Sequence, residues 1–131
     1  MPNAPRAQDV LTRALTAPAR GVLGIVDALL GASCEHGIQL TWRADQCRVR
    51  FLDCELADWI EVPLRKSVVR AALARVAVLC NERKPNSASP YGGQGELIVG
   101  SDPATVLRVA FENTPDEQSL ELVPVSSQGV V

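Results

Sequence analysis

The stretch that most restricts the fold is Pro63 to Asn81, P-L-R-K-S-V-V-R-A-A-L-A-R-V-A-V-L-C-N. Val69, Leu73, Val76 and Cys80, with Val68, Ala72 and Leu79 beside them, recur at helical spacing and make one wide apolar stripe. Pro63 suits a helix start and Asn81 its end. A stripe that broad has to be covered by other elements. The charge of this helix is unusual as well. Arg65, Lys66, Arg70 and Arg75 are its only charged residues. Two of them fall in the expected first turn, where the helix dipole favours acids. Such a helix either tolerates a small cost in water or faces an anion.

Around this helix the apolar period changes. From Gly21, V-L-G-I-V-D-A-L-L-G-A-S-C-E-H-G predicts an earlier helix, apolar nearly all round and stopped at Gly37. That much apolar surface calls for burial on more than one side, or for a face shared with a partner. Then I-Q-L-T-W-R alternates Ile38, Leu40 and Trp42 with Gln39, Thr41 and Arg43. After a turn at Ala44-Asp45-Gln46, C-R-V-R-F-L-D alternates Cys47, Val49 and Phe51 with Arg48, Arg50 and Leu52, which predicts a hairpin. D-W-I-E-V makes a third short strand leading into Pro63. Beyond Asn81, E-R-K-P-N-S-A-S-P-Y-G-G-Q-G reads as a long polar loop. E-L-I-V-G, T-V-L-R-V-A-F-E and S-L-E-L-V-P-V supply three more strands. The order helix, three strands, helix, three strands predicts an α+β fold, its mostly antiparallel sheet backed by two helices. Residues 20–125 would form a single domain, 1–19 a mobile lead or a short helix that packs poorly, and 126–131 a frayed tail.

Composition narrows the function. A net charge of −2 and a pI near 5.4 argue against a general binder of nucleic acid or of membrane surfaces. The charge is uneven, since residues 101–131 hold five acids and only Arg108 as a base. No apolar run approaches the ~20 residues of a membrane span. The start also lacks the apolar core of a secretory signal, so a cytoplasmic location is expected. Cys34, Cys47, Cys54 and Cys80 do not pair at metal-ligand spacing. Buried thiols are expected, although Cys47 and Cys54 could meet across the hairpin. His36 lacks a nucleophile context, and Ser33, Ser67 and Ser119 lie outside any G-x-S-x-G. Pro90 to Gly95 precedes a strand, not a helix, so it is expected to be a turn under Tyr91 and not a phosphate loop. The expectation is a non-enzymatic chain without catalytic residues, metal or cofactor.

The ordered words carry a resemblance over about residues 22–124. I-V-D-A-L-L on a helix, R-V-R-F on a strand, the basic helix, G-Q-G-E-L, and then V-L-R-V-A-F-E-N-T-P-D-E-Q-S-L-E-L follow one another. Together they resemble the second N-terminal, PAS-like domain of the bacterial type II secretion and type IV pilus assembly ATPases. In that family, arginines of this domain reach nucleotide phosphate held by the catalytic domain. The resemblance implies such a role for Arg48 and Arg50 on the strand and Arg75 on the helix. The chain departs from the family pattern at Leu52-Asp53 and at Glu96, and these residues contain no G-x-x-x-x-G-K-[ST]. The resemblance therefore implies a regulatory, protein-binding module whose partner is a motor ATPase or another copy of itself. The alternative is a small-anion or nucleotide sensor. Its anion contacts would be Arg48 and Arg50, together with Arg65, Lys66 and Arg70 at the helix start and Arg75 further along.

Overall fold

The structure, a computed structural model, describes residues 3–16, 20–52, 58–100 and 103–125, with side chains from Asp9 onward. Its elements are α1 (Asn3–Thr16), α2 (Gly21–His36), β1 (Ile38–Arg43), β2 (Gln46–Phe51), β3 (Ile60–Val62), α3 (Lys66–Arg83), β4 (Ala88–Ser89), β5 (Gly92–Val99), β6 (Thr105–Asn113) and β7 (Gln118–Pro124). The seven strands form one sheet in the order β3-β2-β1-β7-β6-β5-β4, and every pairing is antiparallel. The fold is α+β, as the periodicity predicts.

Strand alternation sorts the sheet into two faces. Leu40 stands between Val49 and Leu120, and Leu120 beside Phe111; all four are buried. The next row, Arg50, Gln39, Glu121, Ala110 and Gln94, points the other way. Helices cover the first face. Ile25, Val26 and Leu29 of α2 and Val69, Leu73, Val76 and Cys80 of α3 join the sheet residues in one core. Each fully buried Leu, Ile or Val contributes about 1.5–3 kcal/mol.

The extra burial demanded by α2 comes from an element the sequence reading undervalued. α1 lies against α2 and β3, and its Leu11 and Leu15 are 3% and 1% exposed. Residues 1–19 were expected to lead or to pack poorly. Instead Asn3–Thr16 form a packed helix, because Leu11 and Leu15 sit one turn apart on a single face. α2 is thereby in contact with α1, α3 and the sheet. The tail at 126–131, and Cys54 with its suggested approach to Cys47, lie outside the described residues.

Three boundaries also differ from the expectation. The basic helix starts at Lys66 and not Pro63, because Leu64 turns into the core at 8% exposure and Arg65 is the extended N-cap. It runs past Asn81 to Arg83, where the Lys84 N–H bonds the Cys80 carbonyl at 2.9 Å. Asn81 then acts as a clasp. Its amide donates to the Ala88 carbonyl at 2.8 Å, and its Oδ1 accepts from the Ser87 and Ala88 N–H groups at 2.9 and 3.0 Å. The long polar loop shrinks accordingly. β4 pairs with Gly92 and Gly93, so β5 begins four residues before Glu96. Gly93 has φ +153, and a Cβ there would lie 3.0 Å from the Ala88 Cα. Glycine lets the two strands meet at this point. Tyr91 does not pack over the turn; it is 64% exposed.

The β1–β2 loop keeps two residues, Ala44 and Asp45, at φ 54 and 63, and Gln46 opens β2. Two positive φ values in a two-residue loop match the twist of the flanking strands. Among the described residues, no helix is long and apolar enough to cross a membrane.

Candidate functional site

The six cations suggested by the sequence are placed in three separate regions. Arg48 and Arg50 stand on the face of the sheet opposite the helices, since Val49 between them is buried in the core. Arg50 is held twice. Its Nε donates to Gln39 Oε1 at 2.9 Å, and its guanidinium lies 4.6 Å from the Trp59 ring centroid. A guanidinium stacked in this way is positioned and gains about 0.5–1 kcal/mol at an exposed site. Arg48 Nη2 donates to Gln46 Oε1 at 2.7 Å and pairs in register with Glu61 on β3.

The start of α3 is a different case. Lys66 Nζ donates to the Pro115 carbonyl at 2.7 Å. Arg70 Nε donates to Asn113 Oδ1, while Asn113 Nδ2 donates back to the Arg70 carbonyl, each at 3.1 Å. Asn113 is 4% exposed, and its own N–H bonds the Tyr91 carbonyl at 2.8 Å. These two cations fasten α3 to the turn between β6 and β7. Of the charge that looked suited to an anion, Lys66 is used on a carbonyl oxygen and Arg70, one turn further on, on an amide oxygen. Arg65, the N-cap, is exposed and makes no side-chain cap bond.

Arg75 lies apart from both groups. It lines a cleft of about 570 Å³ between α2 and α3, with Leu23, Leu79, Ile98 and Glu82. The Arg20–Asp27 pair, 2.9 Å, closes one side of this cleft.

Three cations that sequence reasoning passed over do converge. Arg83, Lys84 and Arg108 line a cavity of about 740 Å³ with Asn86, Gln94 and Glu96. Arg83 approaches Glu96 at 3.7 Å with both side chains well exposed, a pair worth little in water. Among the described residues, Lys84 and Arg108 make no ion pair. Arg83 and Lys84 were assigned to a loop, and Arg108 was noted only as the single base of residues 101–131. Only the packing of α3 on β5 joins them. Gly95 permits that packing, because a Cβ there would lie 3.0 Å from Cys80 Sγ.

Cys47 and Cys80 belong to the core, and Cys34 and His36 are half-buried beside it. Burial pushes the Cys47 thiol up to about 12 and raises Cys80 as well, so both stay protonated at neutral pH. Cys34 Sγ donates to the Leu30 carbonyl at 3.3 Å. His36 ends α2 and meets the Phe51 ring edge-on, with centroids 5.7 Å apart. Among the described residues, no group of three His, Cys, Asp or Glu side chains could hold a metal ion. No protein-family model matches the chain, and no curated protein matches it.

Proposed function

We propose that this chain is a non-enzymatic protein-interaction module, similar to the regulatory second N-terminal domain of secretion and pilus motor ATPases. Its partner on this reading is a separate motor ATPase or another copy of itself. The observation that carries the reading is where the resembling words fall. I-V-D-A-L-L lies on α2, R-V-R-F on β2, the basic stretch on α3, and V-L-R-V-A-F-E-N-T-P-D-E-Q-S-L-E-L spans the β6–β7 hairpin. The words thus fall on two helices and on strands of the sheet whose one face those helices cover. Arg48 and Arg50 stand on the opposite face, where a partner could meet them.

Affinity capture from the source cell tests this. Recovery of a secretion or pilus ATPase is the expected outcome, and repeated capture without any such component sinks the proposal. The anion-sensing alternative is supported less well, because Lys66, Arg70 and Arg50 are already engaged. It predicts thermal stabilisation by ATP or phosphate. A ligand at ~100 times its dissociation constant adds ~2.7 kcal/mol.

A further inference from the structure

The cavity lined by Arg83, Lys84 and Arg108 lies along a sheet edge whose backbone is open. The Asn113 N–H bonds the Tyr91 carbonyl, which sets the phase of the β5–β6 ladder. Gly93, Gly95, Leu97 and Val99 therefore bond to β6, and Gln94, Glu96 and Ile98 turn their N–H and C=O groups away from it. β4 pairs only with Gly92 and Gly93. Among the described residues, the outward backbone groups of Gln94, Glu96 and Ile98 have no backbone partner. Gln94 and Glu96 are exposed, and Ile98 is 50% exposed.

The surroundings of this edge say what would fit it. Arg83, Lys84 and Arg108 flank Gln94 to Glu96, and the cleft next to them, which shares Arg83, offers Leu79 and Ile98 beside Arg75, Glu82 and the Arg20–Asp27 pair. Opposing these cations at the cavity is the single acid Glu96. An extended chain gains main-chain hydrogen bonds from an open edge, and side-chain surroundings then select its sequence. We propose that the β5 edge from Gln94 to Ile98 accepts an acidic, extended peptide segment of a partner protein as an added strand. This rests on the interaction-module reading above and gives it a place and a ligand chemistry. Basic side chains also guard edges against pairing, which is the competing outcome.

The probe is a fluorescent, end-blocked peptide of alternating glutamate and threonine, read by anisotropy against its lysine–threonine counterpart. The acidic probe is expected to bind, more weakly as salt rises, and the basic one not to bind. Glu96→Pro removes one outward N–H and leaves the β6 ladder intact, a change that edge strands tolerate. It should weaken binding about tenfold or more even though it removes an acid beside the probe. Glu96→Gln should tighten binding, and Arg108→Glu should weaken it. An acidic probe N-methylated at alternate residues asks the same question without altering the protein, and should not bind. Three results each overturn the proposal: no binding of the acidic probe, equal binding of both probes, or binding indifferent to both Glu96→Pro and N-methylation. Capture of a motor ATPase equally well by the wild-type and Glu96→Pro chains would overturn the edge while leaving the interaction-module reading in place.

Discussion

The two ends of α3 carry cations of the same kind and use them in opposite ways. At the first end, Lys66 and Arg70 are bound to the β6–β7 turn, and a buried asparagine returns the bond. At the other, Arg83 and Lys84 face a cavity with Arg108, and their nearest acid is 3.7 Å from Arg83. Each end carries a pair of cations, with Glu82 beside the second; what differs is the partner in reach, the Pro115 carbonyl and the Asn113 side-chain oxygen at the first end and the exposed Glu96 at the other. The turn at 113–118 presents carbonyls to the helix start, whereas β5 presents a strand edge to its end. A cation held by a turn carbonyl or a buried amide becomes part of the frame, and one whose nearest charged partner is an exposed acid remains available.

This contrast can be tested by stability. The largest effect is expected at the fastened end. Asn113→Ala removes both bonds to Arg70 and leaves buried groups without partners, so it should cost about 2 kcal/mol or more in urea unfolding. A loss below about 0.5 kcal/mol would mean that the reciprocal bonds do not hold α3 in place. Gly95→Ala comes next, at about 1–3 kcal/mol, because its Cβ would press on Cys80 where α3 crosses β5. Adding Cys80→Ala to Gly95→Ala should recover part of that loss, and a double-mutant cycle reads the coupling directly. The smallest effect is expected at the open end. Arg83→Ala with Lys84→Ala should change stability by no more than about 0.5 kcal/mol. A large loss there would make these cations structural and end the contrast.

A further prediction comes from the core. Cys47 ionises near 9 when unfolded and is pushed up to about 12 when folded. Below pH 9 the thiol is protonated in both states, and its contribution to stability is fully present. As pH rises from 9 toward 12 the unfolded chain releases that proton first, so stability falls by up to ~1.4 kcal/mol per unit. Cys47→Ala should show a shallower decline over that window than the native chain.

Much of this fold could be read from spacing. β1, β2, β6 and β7 alternate cleanly, and the apolar stripe of α3 predicts its burial, because both patterns follow from local backbone geometry. α1 was undervalued because Pro5 and several polar residues mask the Leu11–Leu15 pair. Gly92 to Gly95 gave no strand signal, since glycine has little intrinsic preference for strands. It serves here for close approach, which depends on what lies opposite. The candidate sites were less legible for the same reason. Arg70 and Asn113 are 43 residues apart in sequence, and Lys66 and Pro115 are 49 apart. No local pattern distinguishes an arginine that will meet an asparagine from one that will stay free.

The strand order sets a condition on how the protein is made. β1 is made well before β7, yet β7 is one of its two neighbours, with Ile38 opposite Leu122 and Leu40 opposite Leu120. A ribosome has to deliver residues 118–124 before the centre of the sheet can close. Until then the α2-β1-β2-β3 portion waits with the inner side of β1 unpaired. Closing a loop of that length costs only slightly more than closing a shorter one, but it delays the reward. The nascent chain is therefore most exposed to wrong pairing at β1, a strand that the finished sheet pairs along both edges from Ile38 to Trp42.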